Sequence, residues 1–182
     1  MFKKMKNLLI FSLLVLYSDL ALSSEYQNII NQYFENIKIL EKTDFDMQTI
    51  NSQLPPSELK RINGMFSLAI KDYDGNGLTD FVALTYNKNI KPKLTRNYYY
   101  REYYLIICLQ YKKYSCEKIK NFTRGYPLQY YLSAGNLHNN LICKNKSFKK
   151  GMPAFFLEPA LGNIWEWGIY YGDETIMCAA GD

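Results

Sequence analysis

The stretch Lys71–Leu84, KDYDGNGLTDFVAL, sets three aspartates, one asparagine and two glycines within nine residues and then turns apolar. MFSLAIKDY leads into it from Met65, and FVALTY leads out of it at Phe81. Both flanks read as β-strands, because apolar, β-branched and aromatic residues dominate them, and the Asp, Asn and Gly between them are turn formers. A strand, a tight turn and a second strand make an antiparallel unit, and that unit sets the character of the sheet. Asp-Gly and Asn-Gly are ordinary turn pairs. A plain turn nonetheless gains nothing from three carboxylates a few ångströms apart, since they repel one another unless a cation neutralises them.

The spacing points to calcium, a hard cation that takes roughly six to eight oxygen ligands. Asp72, Asp74 and Asn76 offer side-chain oxygens at loop positions 1, 3 and 5. Gly77 falls at position 6, where a sharp turn needs a residue without a Cβ. Leu78 at position 7 offers its backbone carbonyl, and Asp80 at position 9 adds a carboxylate or holds a ligand water. This is the first half of the pattern D-x-[DN]-x-[DN]-G. The second half departs from an EF-hand: position 12 is Ala83 in place of a bidentate glutamate, and FVALTY reads as strand rather than helix. The nine residues resemble instead the strand–loop–strand calcium loops of integrin-type β-propeller repeats, with their D-x-D-x-D-G-x-x-D core. That resemblance implies side-chain ligation by Asp72, Asp74, Asn76 and Asp80 and main-chain ligation by Leu78. The loop occurs once, without an internal repeat of useful length, so a multi-bladed propeller is excluded by size.

Residues 1–23 read as a secretory signal peptide. Lys3, Lys4 and Lys6 form a positive start, Leu8–Tyr17 is an apolar run broken only by Ser12, and Ala21 and Ser23 are small residues placed for cleavage. The run is about ten residues long, half of the roughly 20 that a spanning helix needs. No Cys precedes Cys108, so no lipid-modified cysteine sits at the cleavage point. The expected mature chain, residues 24–182, is a single domain of 182 − 23 = 159 residues, exported to the periplasm or secreted, with no membrane span. Its formal charge falls from +5 by three Lys and one Asp to +3, with the lysines scattered, which argues against nucleic acid. A Lys-, Asn- and Tyr-rich composition and the short signal suggest a bacterial chain. The sequons at Asn121 and Asn145 are therefore set aside.

Export and an even count of four cysteines favour disulfides. Three pairings are possible, and Cys108–Cys116 with Cys143–Cys178 is preferred. Positions 108 and 116 have the same parity around LQYKKYS, the expected tip of a hairpin, so they can face one side of paired strands. The other bridge would tie the C-terminal end to an earlier strand. Metal binding by these cysteines is disfavoured, because no C-x-x-C exists and the only histidine, His138, lies in the polar loop stretch GNLHNN.

Tyr26, Ile29, Ile30, Tyr33, Phe34, Ile37 and Leu40 recur at spacings of three and four and predict a core-facing helix over residues 24–42. Pro55 and Pro56 interrupt the next segment, Ser57 can cap a short helix through Arg61, and Asn63-Gly64 ends it. Beyond Met65 the pattern is strands. YYYREYYLIICLQY and YSCEKIKNF form a long hairpin, followed by QYYLS, NNLICK, PAFFLEP, IWEWGIYY and TIMCAA. YYGDETIM predicts a second hairpin with Gly172-Asp173 at its tip. The fold class is therefore α+β: an N-terminal helix packed on a mainly antiparallel, curved sheet with a strand–calcium loop–strand unit. This order of signal peptide, helix, Pro-containing segment, single acidic loop, hairpin and C-terminal IYYGDETIMCAAGD is similar to small exported bacterial proteins that carry one such loop. The likeness implies a fold order and no activity.

No G-x-S-x-G, P-loop or H-E-x-x-H motif is present, and His138 alone cannot support a Ser–His–Asp or Cys–His arrangement. Glu158 in FFLEP and Glu166 in IWEWG could form a carboxylate pair of the glycosidase kind. Alternation sends Trp165 and Trp167 to one face and Glu166 to the other, so the simpler reading is two buried tryptophans and a solvated glutamate. Seventeen tyrosines, with Tyr98–Tyr100 consecutive, offer either amphipathic sheet faces or an exposed binding face. The expected function is a calcium-binding, disulfide-stabilised interaction module without catalysis, possible as an inhibitor or immunity-type protein. Its expected partner is a protein in the cell envelope or outside the cell. The alternative is an envelope polysaccharide hydrolase using Glu158 and Glu166.

Overall fold

The computed structural model describes residues 24–57, 59, 66–95, 98–159, 166–172 and 174–179. The segment read as a signal peptide, most of the short helix expected from Ser57 through Arg61, and Trp165 lie outside these residues. The chain is an α+β fold built mainly from antiparallel strands. Among the described residues no helix is long and apolar enough to cross a membrane.

Helix α1 covers residues 24–31 and corrects the longer helix expected through residue 42. Asn36 turns the chain with a positive φ of 61°, and Ile37–Ile39 then forms strand β1. Ile37 and Ile39 are buried with Lys38 half-buried between them, a period of two hidden inside the helical spacing. Pairing of Ile37 with Asn87 and Ile39 with Thr85 satisfies the backbone and decides the outcome. A single 3₁₀ turn, Lys42–Asp44, leads to helix α2, Met47–Gln53, whose N-cap Asp46 accepts the Thr49 N–H and which buries Ile50.

Among the described residues, β1 and nine further strands form two sheets, where the sequence reading expected one. The larger sheet joins β1 to β2 (Leu68–Lys71), β3 (Asp80–Asn87), β4 (Lys93–Thr95), β5 (Tyr98–Gln110) and β6 (Tyr114–Gly125). The smaller runs in the order β12 (Glu174–Ala179), β11 (Glu166–Tyr171), β10 (Pro153–Pro159), β7 (Tyr130–Asn136). Strands β8 (Leu141–Cys143) and β9 (Lys146–Phe148) form a separate hairpin, with Lys144 and Asn145 both at positive φ in its turn.

Three apolar clusters bind these layers. Val82, Leu84, Leu105 and Ile107 of the large sheet pack against Leu132, Phe155 and Leu157 of the small one. On the opposite face of the large sheet, Phe81, Ala83, Ile106 and Cys108 pack under Tyr26, Ile29 and Ile30 of α1. On the outer face of the small sheet, Phe156, Trp167, Ile169 and Ile176 pack against Phe148 of β9. The runs FVAL and YLIICL are continuously apolar because both faces of β3 and β5 are covered. At the edge, β6 reads as a mixture of Lys, Glu, Asn and Thr, because less of it is buried.

The two disulfides are Cys108–Cys116 and Cys143–Cys178, as the parity and spacing favoured. Cys108 and Cys116 stand directly opposite on β5 and β6 with their Cα atoms 4.1 Å apart. Cys143 fastens the β8–β9 hairpin to β12, Cα atoms 6.1 Å apart. The β5–β6 ladder carries a bulge where Leu105↔Lys120 gives way to Ile106↔Lys118, a feature that increases local twist.

Candidate metal centre

The acidic loop closes β2 onto β3, with Lys71 and Asp80 as the last register pair before the turn. Gly75 and Gly77 sit at φ of 77° and 82°, where a Cβ would be strained, so the glycines permit the tight path that brings the acids together. Tyr73 points inward, 3% exposed, and meets Phe155 edge to face, which pins the loop onto the core between the sheets. Burial pushes the Tyr73 phenol well above its ordinary value, with the Asp80 carboxylate adding to it.

Carboxylate oxygens from Asp72, Asp74 and Asp80 all lie within 4.8 Å of one another. Two oxygens that each sit about 2.4 Å from one cation can be no more than about 4.8 Å apart. The three acids therefore form a cluster that could hold a metal ion. Asp80 is fully buried, whereas Asp72 and Asp74 are half-buried. Burial raises the Asp80 carboxyl above the usual aspartate value; the Gln110 and Tyr73 N–H groups oppose that, and the nearby Asp74 charge reinforces it.

Backbone donors hold the acids in place. Asp72 Oδ1 accepts from the N–H groups of Gly75 at 2.8 Å and Asn76 at 3.1 Å, and its Oδ2 accepts from Gly77 at 2.9 Å. Asp80 Oδ2 accepts from Tyr73 N–H at 2.7 Å and Asp74 N–H at 3.4 Å, while Oδ1 accepts from Gln110 N–H at 2.7 Å. An ionised carboxylate has about four lone-pair sites. Three donors each leave Asp72 and Asp80 with acceptor capacity for a cation.

Asn76 and Leu78 join this arrangement differently. The Asn76 side-chain NH₂ donates to Asp74 Oδ2 at 2.9 Å and to the Gln110 carbonyl at 2.8 Å. Its Oδ1 accepts the Leu78 N–H at 2.7 Å, and the Leu78 side chain is exposed. The sequence reading missed the tip of the β5–β6 hairpin as a wall of the site. To Asp80 and Asn76 of the loop Gln110 offers its backbone groups, which leave no residue-type signal. Tyr111 comes next to the site as well: Tyr170, partial desolvation and Asp74 push its phenol upward. Tyr114 Oη donates to the Thr79 carbonyl at 3.1 Å and covers the far end of the loop.

The other candidate residues do not converge. Leu157 pairs with Glu166, so Glu158, the next residue along β10, faces the opposite side of the sheet. Glu158 accepts from Tyr131 Oη at 3.1 Å and from Ser133 Oγ; Glu166 is ion-paired with Lys120 between the sheets. Glu166 is thus not the solvated residue expected, and the two carboxylates share no cleft. Trp167 is buried. His138 is exposed in the loop after β7. Tyr98, Tyr99 and Tyr100 are exposed, while Tyr103 and Tyr104 are buried, because the start of β5 runs past the layers that cover its middle.

Comparison with known protein families, curated proteins and solved structures returns no match.

Proposed function

We propose that this chain is an exported, calcium-binding interaction module without catalysis, whose partner is a protein in the cell envelope or outside the cell. An inhibitor or immunity-type role is one form of that reading. The observation that carries it is the convergence of Asp72, Asp74 and Asp80 to within the span of one ion's ligand shell. Calcium is favoured over smaller cations by the donor set: hard carboxylate and amide oxygens on a glycine-containing loop. Asp72, Asp74, Asn76 and Asp80 then supply side-chain oxygens and Leu78 a carbonyl.

Extracellular calcium modules bind with dissociation constants of roughly 10⁻⁴–10⁻³ M. At about 1 mM calcium and about 10⁻⁴ M, linkage stabilises the fold by roughly 1.4 kcal/mol. That is enough to order a loop and too little to sustain a domain. The role of the ion is therefore structural: it fixes the junction of β2, β3 and the β5–β6 tip. Two disulfides suit the same oxidising compartment. The exposed tyrosines at the start of β5 supply the interaction face, since Tyr is enriched where proteins meet.

The test is affinity purification of the tagged protein from the periplasm, with calcium and with chelator. A reproducible stoichiometric protein partner supports the module. Turnover of envelope polysaccharide by the purified chain, retained in the Glu158→Gln and Glu166→Gln variants, would replace it with an enzyme of another kind.

A further inference from the structure

The face of the large sheet that α1 covers does not end where the helix ends. Phe81, Ala83, Tyr104, Ile106 and Cys108 lie under α1, and the same face continues along β5 through Glu102 to Tyr100. There it meets Thr123, directly opposite Glu102, and Lys93, directly opposite Tyr100. Together with Ile90 and Lys91 these residues line an open groove of about 420 Å³. That volume lies in the range of roughly 300–1,000 Å³ typical of ligand clefts.

The groove has an unbalanced charge. Its one acid among the described residues, Glu102, is already engaged: its carboxylate accepts from Tyr104 Oη at 3.0 Å and from Asn121 Nδ2 at 3.4 Å. Among the described residues, neither Lys91 nor Lys93 takes part in an ion pair. Beside them on the same face stand exposed apolar groups: Ile90 is 38% exposed, Tyr98 68% and Tyr100 37%. Two free ammonium groups flanking aliphatic and aromatic surface complement carboxylates flanking an apolar side chain.

We propose that this groove binds an acidic peptide segment of a protein partner, with an aliphatic side chain seated against Ile90 and Tyr100 and flanking carboxylates on Lys91 and Lys93. The proposal rests on the interaction-module reading and gives it a partner chemistry. An aliphatic anchor distinguishes this occupant from an acidic glycan, which could answer the lysines and stack on tyrosine but has no group for Ile90.

Fluorescence anisotropy with a labelled Asp-Glu-Asp-Leu-Asp-Glu peptide tests it on the full mature protein. Saturable binding is expected, weakened at least tenfold by Lys91→Glu/Lys93→Glu, by Tyr100→Ala and by replacing the peptide's leucine with serine. Unchanged thermal midpoints of the variants show that they fold. Three results would overturn the proposal: no saturable binding at millimolar peptide, equal binding by wild type and the charge-reversed variant, or tighter binding of a sulfated oligosaccharide at the same salt. If the partner captured from the periplasm binds wild type and the charge-reversed variant equally, the groove is the wrong place while the module stands. If no partner exists, the module reading fails by itself.

Discussion

Asp80 and Gln110, 30 positions apart in the chain, are joined by a hydrogen bond of 2.7 Å from the Gln110 N–H to the buried carboxylate. With the Asn76 amide donating to the Gln110 carbonyl at 2.8 Å, both backbone groups of the last residue of β5 are bound by the acidic loop. The loop thus does structural work before any cation arrives, and Asp80 carries more of it than Asp72.

Removing the Asp80 carboxylate leaves the N–H groups of Gln110 and Tyr73 without their acceptor. Each buried donor left unsatisfied costs about 1–3 kcal/mol. Asp80→Ala is therefore expected to lose about 2–4 kcal/mol in chelator, against about 1 kcal/mol for the more exposed Asp72→Ala. Urea unfolding of both variants without metal checks the order; equal losses would contradict the larger metal-free role of Asp80.

Arg101 forms an ion pair with Asp44 at 3.0 Å and lies between the Tyr86 and Tyr126 rings, 4.2 and 4.3 Å from their centroids. Both charged side chains are about nine-tenths covered, at 11% and 9% exposure. Breaking a buried pair from one side costs about 3–5 kcal/mol, because the remaining charge is stranded. Asp44→Ala and Arg101→Ala should each lose that much, and the double variant should lose much less than their sum. Additive losses in a double-mutant cycle would contradict the coupling.

Asp46 caps α2, accepting from the Thr49 hydroxyl at 2.7 Å and the Thr49 N–H at 3.1 Å. The Thr49 hydroxyl first, then its N–H and Gln129, hold the Asp46 carboxyl below the usual aspartate value. A lowered folded-state value means that the ionised cap contributes above the unfolded value, near pH 3.9, and that its contribution is lost as pH falls through the lower folded value. Asp46→Ala should cost about 1 kcal/mol at pH 6. Its deficit relative to wild type should shrink by pH 3, measured by urea unfolding at both values.

Gly168 pairs directly with Phe155, whose ring would lie 2.1 Å from a Cβ at that position. The ring fills the space that the missing side chain leaves. Gly168→Ala is expected to destabilise by about 1–3 kcal/mol through overpacking. Gly168→Ala with Phe155→Leu should recover part of that loss, read from the thermal midpoints of the single and double variants.

Local chemistry made much of this fold legible. The β2–β3 turn carries its Asp and Gly residues in order. The Tyr171↔Glu174 pair confirms a two-residue connection after β11, with Gly172 at φ 64°. Equal parity of Cys108 and Cys116 placed them opposite one another. What stayed hidden depends on distant partners. Ile37 and Ile39 fit helix spacing until β3 claims them, and the division into two sheets rests on the β7–β10 ladder, whose strands share no local signal. The hairpin around Lys144 was equally obscure, since lysine rarely marks a left-handed turn. At the candidate site the acids were visible as spacing, but the wall built from the Gln110 backbone was not.

Thermal unfolding in calcium and in chelator, for wild type and for Asp72→Ala/Asp74→Ala, tests the metal centre most directly. About 1.4 kcal/mol of linkage corresponds to a rise of about 3–6 °C for a domain of this size. Wild type should gain that rise at about 1 mM calcium, and the variant should gain none. Equal responses of the two proteins to calcium and to chelator would mean that these aspartates hold no ion.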